Sequence, residues 1–265
     1  MTDIRVMTFN IRGGSPESDG INAWPNRAAL NVDTIRRHAP DLVGFQELKE
    51  ECLETYKEHL PEYRYLLGTE YGRTPPFQYA ALCWRSSRFE LVESGGCWLS
   101  ETPDTFSGSW GTTVVRSASW VKLQTKPQGP VLVHWNTHLD HRSELARFEG
   151  AKVILQKIAE SPKEGPLVVM TGDFNCAPGS DVYREYQKHG FSDTFIDAGH
   201  EDSAENFTFH RFEGEQHPTV RMDWILTLDG AQKTTTRSCT IVRDNEHPLY
   251  PSDHYPVVAD LQITG

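Results

Sequence analysis

The 265-residue chain has no excess of basic charge: 26 Lys and Arg stand against 37 Asp and Glu, a formal net charge of −11. That balance counts against a broad cationic face for long nucleic acid, while leaving room for a nuclease whose site carries its own cations. Cysteine is scarce. The five, Cys52, Cys83, Cys97, Cys176 and Cys239, are odd in number and none lies within four residues of another. Zinc ribbons and CxxC redox pairs are thereby excluded, and small buried thiols in a reducing compartment are expected instead of a disulfide framework. No apolar run approaches the ~20 residues of a membrane helix. The opening Met1-Thr2-Asp3-Ile4-Arg5-Val6 lacks the basic-then-apolar order of a signal peptide. A cytoplasmic location with no membrane partner and no obligate protein partner is expected. Repeats, low-complexity tracts and long linkers are also missing, so residues 1–265 read as one domain.

What is present is a core-forming composition, 37% hydrophobic with 11% aromatic residues. Strand-like runs cover residues 4–11, 41–45, 79–84, 89–99, 119–123, 131–139, 167–171, 222–228, 235–242 and 257–263. The last alternates cleanly, with Val257, Ala259, Leu261 and Ile263 on one face. Helices are fewer. Ala28, Val32, Ile35 and Ala39 recur at helical steps before Pro40, and Leu53, Tyr56 and Leu60 do so before Pro61. Leu145, Phe148, Lys152, Leu155 and Ile158 predict the buried stripe of a longer helix, with the Lys152 stem as a member. Ser180 and Gly190 bracket a short fourth helix as N-cap and stop. Strands that follow one another directly predict antiparallel pairing, and the fold class expected is α/β (α+β), a sandwich of two sheets with helices outside.

Polar residues gather where these strands end. Asn10 follows the first strand and Gln46-Glu47 the second; Asn136-Thr137-His138-Leu139-Asp140-His141, Asp173-Phe174-Asn175, Asp223 and Asp253-His254 follow later ones. Each alone has an ordinary explanation, as a turn former, a helix start or a hydrogen-bonded core histidine. Together they make an oxygen-rich set on rigid mounts, which suits Mg²⁺ or Mn²⁺ and, through them, phosphoryl chemistry.

In order along the chain, MTFNIR (Met7–Arg12), GFQEL (Gly44–Leu48), NTHLDH (Asn136–His141), TGDFN (Thr171–Asn175), RMDWIL (Arg221–Leu226) and PSDHYPV (Pro251–Val257) resemble the endonuclease/exonuclease/phosphatase (DNase I-like) superfamily. Within it, WPNRAALNVDTIRRHAPDLVGFQEL and WLSETPD look most like bacterial metal-dependent hydrolases of unassigned substrate, while GDFNCAPGS and PSDHYPVVADL are also similar to the deadenylase branch. The resemblance implies a four-layer sandwich of two mainly antiparallel sheets packed face to face, with helices outside. It implies Mg²⁺, with Mn²⁺ as a substitute, held by Glu47 and Asn10 with Asp253 at or near the metal. Asp173 would deprotonate the attacking water, Asn175 position it, His254 and His138 contact the phosphate, and Asp223 orient His254.

Arg116, just before a strand, is a further candidate for gripping phosphate. Of the three polar residues after residue 137, His138 and Asp140 share a strand face, so His141 is expected to contribute least. Trp110, Trp224 and Tyr71 are candidates for stacking a base or sugar. Tyr79 stands where close relatives tend to carry Asn, and Cys176 reads as a small packed residue. The expected activity is hydrolysis of a phosphodiester in nucleic acid or a nucleotide by in-line attack of water. The alternative substrate is a small phosphorylated metabolite or a lipid head group, and the acidic balance favours short or small substrates.

Overall fold

The computed structural model describes residues 1–14, 19–69, 78–160, 165–216 and 218–264. Two six-stranded sheets stack face to face. The first runs β11-β12-β1-β2-β4-β3, with β1 (Thr2–Asn10), β2 (Leu42–Leu48), β3 (Tyr63–Leu66), β4 (Tyr79–Arg85), β11 (Lys233–Ile241) and β12 (Val257–Thr264). The second runs β5-β6-β7-β8-β10-β9, with β5 (Phe89–Trp98), β6 (Ser117–Thr125), β7 (Val131–His138), β8 (Leu167–Asp173), β9 (Ser192–Asp193) and β10 (Asp223–Leu228). Pairing is antiparallel except for one parallel pair in each sheet, β1 with β2 and β7 with β8. Each parallel pair is joined by a crossover helix, α1 (Trp24–His38) and α3 (Glu144–Ala159), as parallel neighbours require. α2 (Glu50–His59) lies beside α1, α4 (Asp181–Lys188) beside α3, and α5 (Thr194–Asp197) is a single turn.

The four layers follow from where the apolar faces point. Ile4, Val6, Leu123, Val169, Leu261 and Ile263 fill the space between the sheets. Val43, Phe45, Val32, Ile35 and Tyr56 pack the first sheet against α1 and α2. Met170, Trp224, Ile154, Leu155 and Tyr186 pack the second against α3 and α4. The alternation predicted for the last strand holds, with Val257, Ala259, Leu261 and Ile263 all buried in the inter-sheet core. All five thiols are free; Cys176 is half-buried and the other four are buried.

The stripe expected on α3 is corrected. Leu145 and Lys152 face solvent, and the buried face is Ala146, Gly150, Ala151, Ile154, Leu155 and Ile158. Small residues decide this: a Cβ on Gly150 would meet Leu99 at 3.3 Å, so the helix turns its narrowest side inward to reach the sheet. The short strands β3 and β9 and the single-turn α5 carry too little periodicity to be predicted from sequence.

The two sheets approach closely around Gly44, where a Cβ would sit 2.0 Å from Thr171 Oγ1. A buried polar layer lies here. Gln46 Nε2 donates to Asn136 Oδ1 at 2.7 Å, and Asn136 Nδ2 donates to the carbonyls of Phe45 (2.7 Å) and Ala81 (2.9 Å). Thr171 bonds Asn136 Oδ1 and the Trp135 carbonyl, each at 3.1 Å, and stands 2.9 Å from His134 Nε2. Side chains of the first sheet are thus stapled to strands of the second just beneath the strand ends.

Candidate active site

Strand register assembles half of the site. In the second sheet Asp173 closes β8 and is paired with His138 on β7 and with Asp223 on β10, so three functional side chains stand abreast. In the first sheet Asn10 closes β1 opposite Gln46. β2 carries a bulge in its ladder with β4 between Phe45 and Leu48. Val43, Phe45 and Leu48 all point to the helix side, so the bulge frees Glu47, at φ 58°, to turn toward the other sheet. His254 arrives from the loop before β12, where Ser252 Oγ donates to the Asn10 carbonyl at 2.6 Å and accepts from the His254 N–H at 3.3 Å.

These side chains meet at one end of the sandwich. Asn10 Nδ2 donates to Asp173 Oδ2 at 2.9 Å and reaches Glu47 Oε1 at 3.4 Å. The same Asp173 oxygen lies 3.4 Å from His138 Nε2 and 3.8 Å from His254 Nε2, while Asp173 Oδ1 accepts the Asn175 N–H at 2.9 Å. His254 Nδ1 is 2.9 Å from Asp223 Oδ2. Asn175 Nδ2 donates to the Leu139 carbonyl at 3.0 Å. Asp253 joins through Arg12, whose guanidinium stands 3.9 Å from both Glu47 Oε2 and Asp253 Oδ2 and binds Asp19 at 3.0 Å.

The electrostatics separate an acid from a base. Burial, with the charge of Asp223 beside it, pushes the Asp173 carboxyl up to about 7, against the opposing pull of His254 and Asn10. Burial works against a charged His254, but the charge and hydrogen bond of Asp223, with Asp173 and Asp253, outweigh it and push the imidazole up to about 10. His138 goes the other way: burial, reinforced by Arg116, His254 and His141, holds it well below the usual histidine range. At neutral pH the site therefore contains an imidazolium at 254, a neutral imidazole at 138 and a carboxyl at 173 poised to take a proton.

Among the described residues, two groupings could hold a cation. Asp173, Asp223 and His254 offer ligand atoms all within 4.8 Å of one another. His254 Nδ1 is engaged by Asp223, so this trio reads as a hydrogen-bonded pair beside a base. The second grouping is Glu47, Asn10 and Asp253. Its donors are all oxygens and none is a thiolate, as Mg²⁺ and Mn²⁺ prefer. Burial raises the Asp253 carboxyl, and the charge of Glu47 adds to this against His254, Arg12 and Arg27, which is the carboxylate crowding that a cation relieves.

The other candidates fall in several places. Asp140 does not face the cleft: its carboxylate takes Thr112 Oγ1 at 2.5 Å and the Arg142 and Ser143 N–H groups at 2.8 and 2.7 Å, closing the turn into α3. β7 ends at His138, so strand alternation does not extend to residue 140. His141 instead lies at the rim, with Arg116 Nη2 at 3.3 Å from its Nδ1. Trp224 is fully buried and stacked on Phe174, and Tyr71 lies outside the described residues. Trp110 is half-buried, its carbonyl accepting from Ser143 Oγ. Burial pushes the Cys176 thiol up to about 11, which suits packing rather than nucleophilic attack. Tyr79 is a core residue whose hydroxyl reaches Glu50 at 3.4 Å. Its neighbour Gln78 touches the site, donating to Glu47 Oε2 at 3.1 Å.

Gln78 and Arg27 are thus site residues that motif reading passes over, and Arg12, which closes the MTFNIR stretch, gains its role only from the structure. Arg27 is wholly buried, and its guanidinium donates to the carbonyls of Asn22, Ile11, Pro251 and Arg12, tying the loop after β1 to the loop that carries His254. An arginine amid the apolar steps of α1 was the available signal.

The model of the family described as Endonuclease/Exonuclease/phosphatase matches residues 7–254. A crystal structure of an endonuclease/exonuclease/phosphatase from Bacteroides vulgatus is 32% identical over 100% of both chains, with TM-score 0.89. The mannosyl-6-phosphatase Bt3783 of Bacteroides thetaiotaomicron is 28% identical over 98% of this chain and 99% of its own, with TM-score 0.88. The probable RNA exonuclease NGL3 of Saccharomyces cerevisiae is 24% identical over 203 residues, 68% of this chain but only 39% of that protein's length.

Proposed function

The chain belongs to the endonuclease/exonuclease/phosphatase family, and from that premise we propose that it is a divalent-metal-dependent phosphoesterase acting on a compact phosphate ester. The observation that carries this reading is the convergence on Asp173 of Asn10, His138, His254 and the Asn175 amide. Asp173 accepts a proton from water as its oxygen attacks phosphorus in line with the leaving oxygen; one P–O bond forms and one breaks, and the leaving oxygen takes a proton from solvent. His254, kept charged and aimed by Asp223, donates to the phosphoryl oxygens as their negative charge grows. Neutral His138 donates from the other side, and Asn175 holds Asp173 in place through its backbone N–H. Glu47, Asn10 and Asp253 would hold a divalent cation, which would supply positive charge to offset the phosphoryl oxygens.

A small substrate is favoured by charge. The densest basic run, on α1, is neutralised: Arg36 pairs with Asp33, and Arg37 and His38 pair with Asp244. The whole-length likeness to a mannosyl-6-phosphatase supports the same reading. A second reading, hydrolysis of a phosphodiester in a nucleotide or short nucleic acid, draws on Phe209, a half-buried aromatic packed 4.8 Å from the His254 ring, and on the likeness to an RNA exonuclease.

The test is a turnover panel with Mg²⁺ and with EDTA. Sugar phosphates, p-nitrophenyl phosphate, bis-p-nitrophenyl phosphate, nucleotides, single-stranded RNA and plasmid are compared. Metal-dependent release from the small esters supports the first reading, and preferential cutting of RNA or plasmid the second. Glu47→Gln should raise the Mg²⁺ concentration for half activity, and an unchanged requirement removes Glu47 from the metal's surroundings.

A further inference from the structure

Arg221 and Arg12 each stand beside several carboxylates, and they do so differently. Arg221 closes onto its partners: Nη2 is 2.6 Å from Asp193 Oδ2 and Nε is 2.7 Å from Asp202 Oδ1. Arg12 closes onto neither Glu47 nor Asp253. Its Nη1 stands 3.9 Å from Glu47 Oε2 and its Nε 3.9 Å from Asp253 Oδ2, within reach of charge but beyond a hydrogen bond. The guanidinium is anchored elsewhere, with Nη2 donating to Asp19 Oδ1 at 3.0 Å. The backbone is pinned as well: the Arg12 N–H donates to Asn10 Oδ1 at 3.0 Å, and the Arg12 carbonyl accepts from Arg27. Arg12 Nε is left buried with no hydrogen-bond partner. Among the described residues, no other cation comes within 4 Å of Glu47 or Asp253.

We propose that Arg12 is a counter-charge built into the cation corner, one that weakens the corner's hold on a divalent ion and so keeps that ion exchangeable. This rests on the reading that Glu47, Asn10 and Asp253 hold the ion. Two carboxylates gathered at one corner repel each other. A guanidinium hydrogen-bonded to both would relieve the repulsion but would use the lone pairs that an ion needs. Held at 3.9 Å, Arg12 relieves the repulsion and leaves those lone pairs unspent on its own N–H groups. The same fixed charge opposes any second positive charge that enters the corner.

The experiment measures Mn²⁺ binding to the full chain without substrate, by the paramagnetic resonance of free Mn²⁺ and by calorimetry. The wild type is compared with Arg12→Gln, Arg12→Met, Arg12→Lys and Glu47→Gln, and each variant is checked by thermal melting. Arg12→Gln is expected to bind Mn²⁺ about 10-fold more tightly, as for a divalent ion relieved of a unit charge a few ångströms away. Arg12→Met, which keeps an unbranched apolar stem, must show the same tightening, and it carries the test if Arg12→Gln does not fold. Arg12→Lys, which keeps the charge, should stay near the wild type, and Glu47→Gln should bind more weakly. A residue that merely braced the corner would move the ion the other way. Weaker or unchanged binding in the neutral variants, with Glu47→Gln still weakened, therefore overturns the proposal and leaves the cation reading standing. Equal tightening in Arg12→Lys overturns it too, because there the charge remains. A wild type and Glu47→Gln that bind Mn²⁺ alike overturn the cation reading itself, and this proposal with it.

Discussion

Two buried polar clusters lie between the sheets, and they are built on the same strands. Thr8, Asn136 and Thr171 belong to the interior layer; Asn10, His138 and Asp173, two residues further along β1, β7 and β8, belong to the site. A period of two keeps both sets on the same sheet face. Their chemistry differs because their positions do. The interior layer is made of neutral groups; the N–H donors of Gln46 and Asn136 and the hydroxyl of Thr171 find acceptors, while Gln46 Oε1 and His134 Nδ1 are buried without a partner. The site, at the strand ends, collects Asp173, Asp223, Asp253 and Glu47 around one imidazolium, and it leaves Asp223 Oδ1 buried without a hydrogen-bond partner. The lesson is that neutral polar groups halfway along these strands join the sheets, whereas the ionisable groups collect at the strand ends, where a ligand can meet them.

This contrast breaks down if substitutions in the two clusters have similar effects. The largest separation is expected for Asp173→Asn. It should lower kcat by about 10²- to 10⁴-fold, as for removal of a general base, with a melting temperature equal to or above that of the wild type. Asn136→Leu should do the reverse. It strands the Phe45 and Ala81 carbonyls, at roughly 1–3 kcal/mol each, so denaturant unfolding should shift strongly while turnover per folded molecule persists. Thr171→Val should cost about 1–2 kcal/mol of stability by the same measurement.

The interior layer also carries an effect of pH. His134 is held down to about 3 by burial alone. The unfolded chain protonates this group near the ordinary histidine value of ~6.5, whereas the folded chain resists until about 3. Its contribution to stability is therefore complete above ~6.5 and is lost as pH falls toward 3, by about 1.4 kcal/mol per pH unit. Unfolding curves of His134→Gln between pH 7 and 4 should be flatter than those of the wild type by that slope. Parallel curves would show that His134 is not held neutral.

Most of the fold was legible because long strands and amphipathic helices repeat their signal: the alternation from Val257 to Ile263 and the steps of Val32 and Ile35 needed no partner to be read. The residues that terminate strands, Asn10, His138 and Asp173, were legible for the same reason. What escaped depends on tertiary context. The buried side of α3 is set by Leu99, across the layer, and not by the helix's own apolar count. Asp140 turned inward because β7 stopped at His138. Gln78 reaches Glu47 only because the β2 bulge redirects that carboxylate, and no local pattern announces a bulge two residues after a glycine.

Arg12, Glu47 and Asn175 share one feature: each holds a left-handed backbone, at φ 50°, 58° and 51°. For L side chains that conformation costs roughly 1–2 kcal/mol per residue, and neighbours such as Arg27 and the Asp173 carboxylate hold it in place. The corner is thus a sprung catch on a rigid frame. On gentle warming the catch should slip before the frame yields, with amide protons of residues 12 and 175 exchanging ahead of those in mid-β1 and mid-β8. Competence would then be lost, reversibly, while the sandwich is still standing.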